Sequence, residues 1–369
     1  MTDATGNDPI RSVSLDNAAT WERILPRLHA LVLRGGFTLG PEVEEFERAA
    51  AATFACKWAV GTSSGTSALA LALRASGLPP ASRVALPANT FFATFEAIVQ
   101  AGHVPVVVDH DENYCIDLDR LQSVDVEAVI PVHLYGLPVD MPALMEVARR
   151  RSWWVLEDCS QAHGATIDAR PVGSFGDAGA FSAYPTKNLG AWGDAGFVTG
   201  SDPELERRIR RLRHHGQGEP NVHDDVGGTE RLDNLQALVL SDKLETMQQE
   251  VEARRGVADR YRAALDGHLA HLPADVGGRR HAYHQFVVRV ARRDDVKAHM
   301  QNEGIATSVH YPTPVHLQPA AKGRCKVPHR PDRAERWAGE ILSLPIYPAL
   351  DDTAVTRVAS ALEHALRTD

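Results

Sequence analysis

Short apolar runs alternate with amphipathic stretches through the first half of the chain, and this rhythm predicts strands separated by helices. Trp58-Ala59-Val60 reads as a strand that leads into the polar turn Gly61-Thr62-Ser63-Ser64-Gly65-Thr66 and then a helix over residues 67–76. Further strands are expected at 83–86, 104–108, 128–132, 153–157 and 180–182, with helices ending near residue 100 and covering 141–150. Strands joined through helices imply crossover connections and a mostly parallel sheet covered on both faces. Upstream, after an irregular lead-in, Pro41 and the acidic residues behind it suit the start of a helix over 42–54.

The longest helical pattern, residues 232–269, carries the chain out of this layer. A strand at 285–290, a helix near 295–302, a strand at 306–310 and two C-terminal helical segments follow. The expected fold class is therefore α/β, with a large domain over 1–250, including the lead-in, and a smaller α/β domain over 251–369. The length of 369 residues fits two such units.

Composition narrows the function classes. Hydrophobic residues make up 44% and charged residues 24% of the chain, as in ordinary globular proteins. The net charge is -9 with both signs interspersed, which argues against a nucleic-acid partner. Arg207-Arg208 and Arg210-Arg211 read as the solvated face of a helix. The polar segment 1–11 has Asp3 and Asp8 where a secretory signal needs an apolar core, and no run is long enough to span a bilayer. Four scattered cysteines without a C-x-x-C pair suggest free thiols and a cytoplasmic protein.

Two residues point to chemistry. Lys187, in Tyr184-Pro185-Thr186-Lys187-Asn188-Leu189-Gly190, follows one predicted strand and Asp158 follows another. Both are delivered to strand ends, where ligands of open parallel sheets gather. Alone, Lys187 reads as an exposed loop lysine and Asp158 as a capping or solvated carboxylate. Together they supply an amine that holds an aldehyde cofactor as an imine and an acid that keeps its ring nitrogen protonated, which is what pyridoxal phosphate requires of a protein. Gln161 can meet the ring hydroxyl. Gly65 and Thr66 open a helix whose free N–H groups suit a phosphate, with Ser182 adding a hydroxyl. Phe91 can stack on the ring, whereas Phe92 reads as core. His214, His215, His223, Asp224 and Asp225 lack metal-ligand spacing, so no metal is expected. Gly173, Gly176 and Gly179 do not form a dinucleotide fingerprint.

These pieces come in an order that closely resembles the DegT/DnrJ/EryC1/StrS family, sugar aminotransferases of the fold type I pyridoxal phosphate superfamily. The likeness runs from Ser14 to Leu362. It is carried by Phe37-Thr38-Leu39-Gly40-Pro41-Glu42, Ser63-Ser64-Gly65-Thr66-Ser67, Pro87-Ala88-Asn89-Thr90-Phe91, Pro131-Val132-His133-Leu134-Tyr135-Gly136, Glu157-Asp158-Cys159-Ser160-Gln161-Ala162-His163-Gly164, the Lys187 segment and His310-Tyr311-Pro312-Thr313-Pro314. The resemblance implies ping-pong amination of a nucleotide-linked keto-deoxysugar, with glutamate as donor and pyridoxal 5′-phosphate as cofactor. Lys187 is then the catalytic anchor, and Asp158, Gln161, Ser182, Gly65, Thr66 and Phe91 hold the cofactor. His310 and Tyr311 reach the sugar or the donor carboxylate. The family also implies a homodimer with shared active sites, in which Thr229 stands where an asparagine commonly meets the neighbour's phosphate. Lysine at 187 argues against the dehydratase branch, which carries histidine there. Two alternatives stay open: a cyclic ketone substrate of inosose or aminohydroxybenzoate type, and a non-catalytic cofactor- or sugar-binding regulator.

Overall fold

The computed structural model describes residues 8–265, 267 and 270–367. Residues 1–7, on which the expectation of no export chiefly rests, and 268–269, at the end of the expected long helix, lie outside the described residues.

Seven strands form the main sheet: β1 (Trp58–Thr62), β2 (Arg83–Pro87), β3 (Val104–Val108), β4 (Ala128–Val129), β5 (Trp154–Asp158), β6 (Ala178–Ser182) and β7 (Gly196–Gly200), in the order β1-β7-β6-β5-β4-β2-β3. The β3–β2, β2–β4, β4–β5 and β5–β6 pairs are parallel, and β7 runs antiparallel to both its neighbours. Each strand is apolar on both sides because both faces are covered. Along β6, Ala180 joins a cluster beneath α3 (Gly65–Ala75), α4 (Phe92–Gln100) and α7 (Pro203–Leu212), while the next residue, Phe181, joins one beneath α2 (Pro41–Thr53) and α8 (Asn234–Ala264). At the other end of the sheet, Ala85, Val129 and Val155 pack with Leu144 and Val147 of α6 (Met141–Arg151). The alternating faces explain why near-continuous apolar runs mark these strands in the sequence.

A second cluster builds the smaller layer. It gathers β8 (Phe286–Arg289), β9 (Ile341–Leu344), α9 (Arg293–Asn302) and α11 (Asp352–Arg367) around Phe286, Val288, Met300, Leu342 and Leu362. Helix α8 serves both units. Its Ala237, Leu240, Leu244, Met247 and Val251 belong to the main-sheet cluster, and its Val257, Ala258 and Tyr261 to the smaller one. Ile10 from the N-terminal segment joins the smaller cluster, whereas Val315, Ala321 and Ala334 return to the main-sheet core.

Three expectations need correction. Residues 306–310 do not form a strand. Ser308 makes two isolated backbone bonds to Ser343, of 3.2 and 2.8 Å, and the Ala306 N–H one to the Ile10 carbonyl at 2.9 Å, because this polar stretch is half exposed and offers little to bury. The partner of β8 is instead β9, whose four residues are all buried. Helix α8 ends at Ala264, with Leu265 already extended. The basic run on α7 is not wholly solvated: Arg210 pairs with buried Glu47 at 2.7 Å and Arg211 with Asp225 at 2.5 Å.

Candidate active site

The strands that share a direction end at one edge of the sheet, and the cleft lies there. β5 ends in Asp158, β6 in Ser182, and the turn after β1 leads into α3. A cavity of about 380 Å³ opens at this edge, within the range of small-molecule sites. Gly65, Thr66, Phe91, Asp158, Gln161, Ser182, Lys187, His310 and Tyr311 all line it. Nine of the ten site residues expected from sequence thus converge in one place. The tenth, Thr229, does not line the cleft of its own chain. It is exposed, and its Oγ1 lies 3.1 Å from His215 Nε2.

Asp158 is buried, and each of its oxygens has a partner. Thr94 Oγ1 donates to Oδ2 at 2.9 Å and the Ser160 N–H to Oδ1 at 3.1 Å. Thr94 in turn lies 2.9 Å from Thr90 Oγ1, so the N-terminus of α4 braces the carboxylate. Gln161 is held from both ends: its Oε1 accepts from the Tyr135 N–H at 2.7 Å, and its Nε2 donates to Tyr311 Oη at 3.0 Å. The Tyr135 hydroxyl also donates to the His310 carbonyl, tying the 310–311 segment of the smaller layer to the main-sheet side of the cleft.

Lys187 sits in the loop after β6, its N–H bonded to the Tyr184 carbonyl at 2.9 Å. Burial lowers its ammonium from the ordinary 10.5 to about 8, with the Asp158 charge opposing that shift. The imidazoles around it are kept neutral. Burial lowers His310 to about 4 and His163 to about 3, with the Lys187 charge adding to both, and it drives His284 well down as well. The Tyr311 phenol is pushed up by burial and by Asp158. The cleft thus holds one amine poised between its charged and neutral forms among groups that resist ionisation.

The phosphate end is a matter of close approach. Ser64 caps α3, its Oγ accepting from the Ser67 N–H at 3.1 Å, which leaves the Gly65 and Thr66 N–H groups without an intrahelical carbonyl. A side chain on Gly65 would place its Cβ 2.5 Å from Ser182 Cβ, so only glycine lets the Ser182 hydroxyl stand against this helix end. Free N–H groups, a hydroxyl and the helix dipole make an anion cradle. With Lys187 and Asp158 in the same cleft, and the buried Nδ1 of His284 lacking a partner at its wall, the donor set fits pyridoxal phosphate. Phe91 is 57% exposed at the rim and tilts toward Tyr311 with centroids 5.5 Å apart, while Phe92 stacks on Phe95.

Thr94 and His284 carry the site without a signal in the sequence, since each lies outside the motifs that carry the resemblance, whereas Tyr135 lies in the stretch 131–136, which assigns it no role. The histidines and acids at 214–225 serve locally: His214 Nδ1 lies 2.8 Å from Arg231 Nη1, and Asp224 and Asp225 pair with Arg211. Another buried group, His133, Glu157 and Cys159, has its ligand atoms within 4.8 Å of one another. Its donors and acceptors are engaged, however. Glu157 accepts from the Gly173, Phe175 and Gly176 N–H groups at 2.9, 2.7 and 2.8 Å, and His133 Nδ1 from the Val139 N–H at 3.0 Å. This group braces the loop that leads into β6.

The chain matches the sequence profile of the DegT/DnrJ/EryC1/StrS aminotransferase family over residues 20–363. It is 39% identical over 353 residues to the UDP-N-acetyl-3-dehydro-alpha-D-glucosamine 3-aminotransferase of Acidithiobacillus ferrooxidans, covering 94% of each chain. It is 39% identical over 365 residues to the dTDP-3-amino-3,4,6-trideoxy-alpha-D-glucose transaminase of Streptomyces venezuelae, covering 96% of each. The X-ray structure of S. venezuelae DesV in complex with a ketimine intermediate has a TM-score of 0.91 at 38% identity, over 98% of this chain and 100% of that one. The protein is an aminotransferase with the fold type I architecture and belongs to the DegT/DnrJ/EryC1/StrS family.

Proposed function

We propose that the protein moves an amino group from glutamate to the keto carbon of a nucleotide-linked deoxysugar, in a ping-pong reaction within a homodimer. The convergence of Lys187 and Asp158 on one cleft beside the Gly65–Ser182 cradle carries this reading. Relatives named for UDP-linked and dTDP-linked sugars support the acceptor class.

Bound in the cleft, pyridoxal phosphate supplies a reactive carbonyl and an electron-accepting ring. Lys187 Nζ would anchor it covalently and, when free, would serve as the base that takes up and returns a proton. Burial lowers its ammonium to about 8, a value suited to exchanging a proton near physiological pH. Asp158, held by Thr94 and Ser160, would keep a proton on the ring nitrogen, and Gln161, pinned by Tyr135, would meet the ring hydroxyl. The Gly65 and Thr66 N–H groups and the Ser182 hydroxyl would hold the phosphate.

The test is spectroscopic. The visible absorbance of the protein purified with its cofactor should fade on addition of glutamate and return on addition of a dTDP- or UDP-linked keto sugar. Absorbance indifferent to every amino donor would instead mark a non-catalytic binder, and recovery with inosose alone would assign a cyclic ketone.

A further inference from the structure

Beyond the Lys187 loop lies a second cavity, of about 190 Å³, that shares His284, Gln285, His310 and Thr186 with the main cleft. It has room for about six waters, which is too little for a sugar nucleotide and enough for one end of an amino acid. The residues lining it include one cation, Arg254, and no carboxylate.

Arg254 is buried in an unusual state for a charged side chain. Its Nη1 donates to the Ile346 carbonyl at 2.9 Å and to the Tyr283 carbonyl at 3.4 Å, while its buried Nε has no partner. Among the described residues Nη2 also has none, and no acid there comes within ion-pair distance. Glu250, one turn earlier on α8, acts only at longer range. Burying a guanidinium without an anion is costly, and two neutral carbonyls offset little of that cost. Burial accordingly lowers Arg254 to about 10. Arg254 and Lys187 both act on His284, which stands in both cavities, and both line a third pocket of about 60 Å³. Thr186, next to Lys187 in the chain, and His284 line both cavities, so Lys187 and the guanidinium are separated by residues common to the two.

We propose that this smaller cavity is the subsite for a carboxylate of the amino donor, with Arg254 as the group that binds it. The inference rests on the aminotransferase reading above and adds a residue and a place for the donor. Ser308, on the cavity wall, offers a hydroxyl to the same carboxylate.

Glutarate, a dicarboxylate without an amine, is the probe, titrated calorimetrically into the holoenzyme. Two variants test the site: Arg254→Lys, and Ser308→Asp, which sets a carboxylate in the cavity without touching the bonds from Arg254 to Ile346 and Tyr283. Each should weaken glutarate binding and raise the KM for glutamate by about tenfold or more, with the KM for the keto sugar unchanged. If Arg254→Lys does not fold, Ser308→Asp decides alone. Glutarate affinity equal to the wild type in a folded variant, or KM values for both substrates rising together, would overturn the subsite. A holoenzyme that aminates no sugar nucleotide but loses glutarate binding with either variant removes the sugar reading and supports the subsite.

Discussion

Lys187 is the residue where burial and chemistry meet. Its ammonium titrates near pH 8 when folded and near 10.5 when unfolded, so between those values the unfolded chain binds more protons and stability rises with pH. Below pH 8 the cost of the buried charge is fully present and adds no slope. In the cofactor-free protein, the difference in unfolding free energy between wild type and Lys187→Ala should change across pH 8 to 10.5 by on the order of 1 to 3 kcal/mol, in favour of the wild type as pH rises. Denaturant titrations at several pH values measure it, and a constant difference would mean that the amine is not enclosed. Gly65 is the matching position at the phosphate end. In Gly65→Ala the new Cβ meets the Ser182 backbone at 2.9 Å, so cofactor affinity should fall about tenfold or more while the fold survives. Equilibrium dialysis of the cofactor checks this. The sequence marked both residues only in combination, through the pairing of Lys187 with Asp158 and the order of motifs that carries the family resemblance, because a loop lysine or a glycine at a helix start has other uses when taken singly. It could not mark Arg254, since Arg254-Arg255 in a long helix looks like a solvated pair, and the segments that enclose the first of them, at Tyr283 and Ile346, return from farther along the chain.

At the scale of elements, the strands of the main sheet were legible because each is a short apolar run with both faces covered. The smaller layer was less so. Residues 341–344, Ile-Leu-Ser-Leu, lie among helical patterns and are too few for periodicity to separate strand from helix. The pairing that β8 makes with them across more than fifty residues leaves no local trace. Helix α8 shows the same limit: its two halves face different cores, so no single apolar stripe runs along it. Gly256 lies between those halves, and a Cβ there would meet nothing within 4 Å. Gly256→Ala should therefore stabilise the protein by about 0.5 to 1 kcal/mol, through the lower cost of ordering alanine in a helix. A thermal melt that moved downward would show that the glycine serves a bend.

For the whole molecule, the proposed homodimer has a physical footprint on α1 (Ala18–Arg34). Thr20, Ile24 and Leu31 are buried, yet Trp21, Leu25 and Val32 form a second apolar stripe that is exposed, and Leu33 is 76% exposed. A helix apolar on two sides is expected to be covered twice. Light scattering should give the mass of two chains for the wild type, and Leu33→Asp should shift it toward one chain. Two chains in the variant as well would place the contact elsewhere. The role of Thr229 left no such footprint in the sequence, because a loop completed by a neighbour looks the same there as any exposed loop. Helix α8 has a further consequence. Its thirty-one residues form a single rod rooted in both cores, so opening the cleft by swinging one unit away would mean bending that rod. Substrates should then enter through movement of loops at the rim, and calorimetry should record one melting event for the whole chain rather than two.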